Sequence, residues 1–244
     1  MYKFYQIVVT LYSWMLFISL WIFSTLMAVI LTLHTKDKEN IFNSIERVFS
    51  RIAFKLLGMK IEIQGLENIP RDEPVIFISN HQSMMDIKLS LACIPINISF
   101  ISKDTIFRIP IMGAYMTASG HIPIQRGEDR KAYETLLTAV KKLTAKKSLV
   151  VFPEGTRSED GQLGAFKRGI SLIILKSGRR VVPMAICGSN QFMPKRGWLS
   201  HPEKRYVKIN FGKPLSFDNS RTDREYTIQV TNQLRNEVLG LLQS

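Results

Sequence analysis

His81 stands five residues ahead of Asp86 in the run PVIFISNHQSMMD, residues 74–86, where a strand-like apolar stretch ends in a polar turn beginning at Asn80. In an unbroken helix, positions five apart differ by about 140° in direction, so the pair meets only if His81 precedes the helix that carries Asp86. A corner from strand to helix supplies that geometry. A carboxylate accepting from Nδ1–H would fix the imidazole tautomer and leave Nε2 as a general base. The chain contains no GxSxG elbow, so the hydroxyl to be deprotonated would belong to a substrate. An ordinary turn histidine before a helix-start carboxylate gives the same spacing without chemistry, and an isolated HxxxxD does not separate the two.

A second turn repeats the design. In VVFPEGTRS, residues 150–158, an apolar run ends at Glu154, Gly155, Thr156 and Arg157. Gly155 lets the backbone pass close to a ligand, Thr156 and Ser158 offer hydroxyl and amide donors, and Arg157 suits bidentate contact with a phosphate. Taken alone, these are also common residues of a solvated loop.

The elements that must position the two turns follow from periodicity. Short apolar runs at residues 60–64, 75–79, 98–101, 121–124, 149–152, 181–186 and 206–211 are expected as strands, and residues 84–92, 131–143, 167–177 and 223–242 as helices, with Gly178 as a stop. The alternation predicts an α/β layer fold with a largely parallel sheet of about seven strands flanked by helices. In such sheets ligands bind beyond the carboxyl ends of strands, where both turns fall.

Ahead of this domain, expected over residues 59–244, lies a membrane-anchoring segment over residues 1–58. From Gln6 to His34 there is no charged side chain, and at about 1.5 Å per residue the run exceeds the roughly 30 Å hydrocarbon core. It is too long for a secretory signal and lacks a small-x-small cleavage site. Residues 40–58 place Ile41, Ile45, Val48, Phe49, Ile52 and Leu56 on one face of an amphipathic helix and Asn43, Glu46, Arg47, Ser50 and Arg51 on the other. That helix either lies in the membrane interface with its basic residues toward head groups or packs on the domain. The two helices either include a span or form a hairpin in one leaflet. Lysine and arginine are far denser after the apolar run than before it, where Lys3 stands alone, which puts the main domain on the cytoplasmic side of a cytoplasmic membrane.

With 33 Lys and Arg against 20 Asp and Glu, the net charge of +13 calls for an anionic partner. The basic residues are dispersed and form no nucleic-acid module, so nucleic acid is not expected. Cys93 and Cys187 form no CxxC, and His34, His81, His121 and His201 form no HExxH, so neither a metal nor a disulfide framework is expected.

NHQSMMD is similar to the NHxxxxD motif of the glycerolipid acyltransferases, and FPEGTRS resembles their second strong block, with FKRG (residues 166–169) following closely. SKDTIFRIPIMG (102–113) and GHIPIQR (120–126) resemble the family's substrate-phosphate block, VVPMAI (181–186) its last block, and FGKPL (211–215) its closing strand. Many relatives carry Asp where this chain has Gln125. The resemblance implies transfer of a fatty acyl group from a thioester, on coenzyme A or acyl carrier protein, to the sn-2 hydroxyl of lysophosphatidic acid, giving phosphatidic acid, with no resident cofactor. It assigns His81 as base and Asp86 as its orienting partner. Lys103, Arg126 and Arg157 are expected to hold the glycerol phosphate, in a pocket shaped by Glu154, Gly155 and Thr156. Acylation of glycerol 3-phosphate or another lysophospholipid, and non-catalytic binding of anionic lipid, remain open alternatives.

Overall fold

The structure, a computed structural model, describes residues 1–35, 37–124, 147–196 and 199–244. The expected helix over residues 131–143 and the expected contact Arg126 lie outside the described residues.

Two helices open the chain: α1 (Tyr2–Thr32) and α2 (Lys38–Leu56). The domain follows as β1 (Lys60–Gln64), β2 (Ile76–Ser79), α3 (Met85–Cys93), β3 (Ile98–Lys103), the single-turn α4 (Asp104–Phe107), α5 (Met112–Ala118) and β4 (Ile122–Ile124). It continues with β5 (Ser148–Val151), α6 (Gly169–Ser177), β6 (Val181–Cys187), the short α7 (Ser189–Phe192), β7 (Tyr206–Phe211) and α8 (Arg224–Gln243). Each strand expected from the sequence is present, with ends that differ by two residues at most. Gly178 caps α6 in the left-handed region, φ 64°, which glycine adopts without a Cβ clash.

The sheet order is β1-β7-β6-β2-β5-β3-β4. All neighbours are parallel except β6 and β7. The central strands read as continuous apolar runs because both their faces are covered: every residue of β2 and β5 is buried. Phe77, Val150 and Met184 point to a core shared with α3 and with Val9 and Phe54 of the N-terminal helices. Ile76, Ile78 and Leu149 point to the other core, closed by Ile173 of α6 and Val230 and Leu234 of α8. Each such side chain contributes about 1.5–3 kcal/mol by leaving water.

Helix α1 is built largely inside out. α1 turns Gln6, Thr10, Ser13 and Ser24 toward the protein and leaves Ile18, Phe23, Leu26 and Ile30 exposed. On α2 the expected apolar face is split: Ile45 is buried and Ile41 and Phe49 pack beside it in a cluster with Ala28 and Tyr115. Asn43, Glu46 and Ser50 are buried, whereas Val48, Ile52 and Leu56 are exposed. Arg47 and Arg51 reach inward rather than toward head groups, donating to the carbonyls of Ile94, Ile96 and Ala92 at the end of α3. Those carbonyls lack helical partners and sit at the negative end of the helix dipole, a site that favours a guanidinium.

Candidate active site

β2, β5 and β3 are adjacent and run the same way, so their carboxyl ends share one edge of the sheet. His81 follows β2, residues 154–157 follow β5, and Lys103 is the last residue of β3, with its side chain exposed. One edge thus collects every described residue singled out in the sequence, with Lys103 two strands from His81.

The imidazole Nδ1 of His81 lies 2.8 Å from Oδ2 of Asp86. The same oxygen accepts the amides of Gln82 at 2.7 Å and Ser83 at 2.8 Å. Asp86 is fully buried in the first turn of α3, where the helix dipole favours an anion. A carboxylate held as acceptor by two backbone N–H groups makes Nδ1 the donor, which leaves Nε2 of His81 bare. The ring is 15% exposed and stacks on Phe152 at 4.2 Å and 19°. Phe152 in turn lies parallel to Phe100, 6.5 Å away.

Asn80 fixes the end of β2. Its Nδ2 donates to the carbonyl of Ile186 and its Oδ1 accepts the amide of Ile186, both at 2.8 Å. The side chain thereby imitates one more residue of the β2–β6 ladder, so the corner at His81 starts from a pinned point.

Glu154 was expected to shape a substrate pocket; the structure places it behind His81. Its Oε1 accepts the His81 amide at 2.8 Å and its Oε2 accepts the Gly164 amide at 2.9 Å. Burial raises its carboxyl pKa above the usual range, against the lowering effect of those two amides and of His81. The amide of Ser158 donates to the His81 carbonyl, and Gln82 Nε2 donates to the Gly161 carbonyl, each at 2.8 Å. The two turns are therefore one hydrogen-bonded unit.

Gly155 sits at φ 70°, and a Cβ there would press on the Lys167 side chain, 2.9 Å from its Cε. Lys195, which no motif marked, reaches the same turn from the segment after α7. Its Nζ lies 2.7 Å from the Arg157 carbonyl and 3.4 Å from Thr156 Oγ1, and 3.5 Å from Glu159. Arg157, Lys167 and Lys195 together make residues 155–157 a cationic rim of the kind that receives a phosphate. Among the described residues no three His, Cys, Asp or Glu side chains converge as a metal cage.

An apolar cavity of ≈ 340 Å³ adjoins the dyad. Met84 and Met85 of the histidine turn and Phe100 form one wall, and Trp14, Phe17 and Trp21 of α1 another. The site thus offers a bare imidazole nitrogen on a turn that is hydrogen-bonded to the cationic rim and lends Met84 and Met85 to the apolar cavity.

A family model described as Acyltransferase matches residues 60–187, more than half of the chain, including His81, Asp86 and residues 154–157. The chain belongs to the acyltransferase family. It is 41% identical over 185 residues to a chloroplastic 1-acyl-sn-glycerol-3-phosphate acyltransferase of Arabidopsis thaliana, covering 72% of this chain and 51% of that one. A 1-acyl-sn-glycerol-3-phosphate acyltransferase of Borreliella burgdorferi is 27% identical over 198 residues, covering 81% and 78%. The crystal structure of the 1-acyl-sn-glycerophosphate (LPA) acyltransferase PlsC from Thermotoga maritima superposes with a TM-score of 0.79 at 28% identity over 98% of both chains. Against the plant relatives it matches first, this chain spans about half their length.

Proposed function

We propose that the protein transfers a fatty acyl group from a thioester, acyl-coenzyme A or acyl carrier protein, to the sn-2 hydroxyl of lysophosphatidic acid, forming phosphatidic acid. The observation that carries the reading is the 2.8 Å contact of His81 Nδ1 with a fully buried Asp86, which leaves Nε2 bare on a turn whose Met84 and Met85 line the apolar cavity. Nε2 accepts the proton of the acceptor hydroxyl as that oxygen attacks the thioester carbonyl. Asp86 holds the ring in the required tautomer and stabilises the imidazolium. The tetrahedral intermediate then collapses with expulsion of the thiolate, which takes the proton back from His81.

The rest of the site fits the two ends of such a lipid. The cationic rim at Arg157, Lys167 and Lys195 suits the phosphate, with Lys103 on the same edge. The cavity suits an acyl chain, at about 0.8 kcal/mol for each methylene withdrawn from water. The partner implied is a lipid bilayer, and we place the catalytic domain on its cytoplasmic side, with α1 and α2 seated in one leaflet.

The test is conversion of lysophosphatidic acid to phosphatidic acid in detergent or bilayer, with each donor supplied in turn, by the intact protein and by His81→Ala. Loss of about a hundredfold or more in kcat with unchanged melting is expected for removal of a general base. Full activity in the variant would exclude His81 from the reaction. An intact protein inactive on this acceptor with both donors would exclude the proposed substrate.

A further inference from the structure

Between β3 and α5 the chain leaves the sheet, makes the single turn of α4 and passes Arg108, Ile109, Pro110 and Ile111 before α5 begins. The amide of Met112 donates to the carbonyl of Pro110 at 2.7 Å, across an Ile111 with φ 66° and ψ −55°. That is a γ-turn of the rare, strained form. Ile111 is the only non-glycine residue at positive φ among the described residues, and a β-branched side chain is among the least suited to that region.

The strain serves no packing within the chain. Ile111 is 72% exposed and Ile109 is 53% exposed. The turn is nevertheless held firmly: the amide of Gly113 donates to the Ile109 carbonyl at 2.7 Å and that of Tyr115 to the Ile111 carbonyl at 2.9 Å. Gly113 packs so closely on α4 that a Cβ would lie 1.9 Å from the Phe107 carbonyl oxygen. A rigid base, anchored by buried Tyr115 and Met116, thus presents two isoleucines to the outside.

Their surroundings are apolar and basic. Ile106 and Met112, on either side of the tip, line the apolar cavity opposite Trp14, Ile18 and Trp21 of α1. The exposed apolar surface of α1 therefore continues across the cavity onto the tip. Exposed Lys103 and Arg108, the latter paired with Asp104 at 2.7 Å, flank it, the arrangement of an apolar element that enters a leaflet beneath anionic head groups.

We propose that the Ile109–Pro110–Ile111 tip is a second membrane-inserting element, a rigid wedge that enters the same leaflet as α1. With Trp14 and Ile18 it frames a passage through which an acyl chain moves from the bilayer into the cavity without crossing water. Insertion stands on the geometry and surroundings of the tip; the passage rests on the acyltransferase reading.

Insertion is tested with the full chain carrying Cys187→Ala and Ile111→Cys, labelled with an environment-sensitive fluorophore and reconstituted into vesicles of phosphatidylcholine and phosphatidylglycerol. Cys93 is buried. Gln229→Cys, exposed on α8 across the sheet, is the reference position. Strong quenching at 111 by lipids brominated or spin-labelled in the acyl chain, with little at 229, is expected; equal quenching at both positions overturns the wedge. The passage is tested with the double variant Ile109→Ser and Ile111→Gly, in which glycine relaxes the turn and leaves the fold intact. Turnover of long-chain lysophosphatidic acid in vesicles should fall by about tenfold, while turnover of a monomeric short-chain acceptor changes less than about twofold. Equal loss on both acceptors overturns the passage. A parent protein inactive on both overturns the acyltransferase reading and the passage with it, and the quenching still decides insertion.

Discussion

Glu154 places each of its carboxylate oxygens on a backbone amide, one of them the amide of His81. Glu154→Gln puts an NH₂ where one of these N–H groups needs an acceptor, so stability should fall by about 1–3 kcal/mol. Activity should fall with it, since the ring of His81 hangs from the displaced amide; a variant that keeps its melting temperature and raises only the apparent KM would instead make Glu154 a substrate contact. His121 offers a titration that can be read without substrate. Its ring lies buried between Phe100 and Tyr115, and its Nδ1 accepts the Phe100 amide at 3.3 Å. Burial, reinforced by Lys147 and Lys88, pushes its pKa down from 6.5 to about 3. The unfolded chain therefore takes up a proton on acidification while the folded ring stays neutral. This group's contribution to stability is complete above pH 6.5 and is lost as pH falls toward about 3, at up to about 1.4 kcal/mol per pH unit. Urea titrations across that window should show the slope, and His121→Asn, which keeps an acceptor but cannot titrate, should flatten it.

At the scale of elements, the α/β alternation, the seven strands and the two motif-bearing turns were legible because period-2 runs, glycine stops and motif spacing are local properties of the chain. What α2 packs against was not. Its apolar face was open to either a membrane interface or the domain, and the structure divides it: Ile45 packs with Ala28 and Tyr115, while Val48, Ile52 and Leu56 face outward. An amphipathic pattern alone does not say how such a face is shared. Lys195 and the amide bridge of Asn80 were equally out of reach, since their partners lie 38 and 106 residues away. Buried Glu46 shows what the inward face of α2 does instead: it accepts from Ser24 of α1 at 2.7 Å and pairs with Lys88 of α3. Removing one member of this pair strands the other charge, so Glu46→Gln or Lys88→Met alone should cost about 3–5 kcal/mol. The double substitution Glu46→Leu with Lys88→Met should recover most of that loss in thermal melts in detergent. Additive losses would mean that the pair does not act as a unit.

At the scale of the whole molecule, α1 alone among the described residues is long and apolar enough to cross a membrane. Its 31 residues would extend about 46 Å, more than the roughly 30 Å of hydrocarbon. Its contacts argue against crossing. Near its start Gln6 meets His201 at 3.2 Å and Thr10 accepts the amide of Ser200 at 2.7 Å, while Ser24, well along the helix, meets Glu46. A helix that crossed would carry one of these ends away from the domain; α1 keeps both on it, using its few polar side chains as contacts and presenting its apolar residues outward. With the exposed row of α2 beside it, the pair presents one apolar outer surface, which fits the proposed seat in one leaflet. In a Cys187→Ala background, single cysteines replacing Lys3, Lys38 and Lys213 should all react with a membrane-impermeant maleimide from the same side: in inverted vesicles all three label, and in right-side-out vesicles none does. Labelling of position 3 from the side opposite to positions 38 and 213 would mean that α1 spans the bilayer. The contacts of Gln6 and Thr10 would then not exist in the membrane-bound protein, and Gln6→Leu with Thr10→Val would leave its stability unchanged.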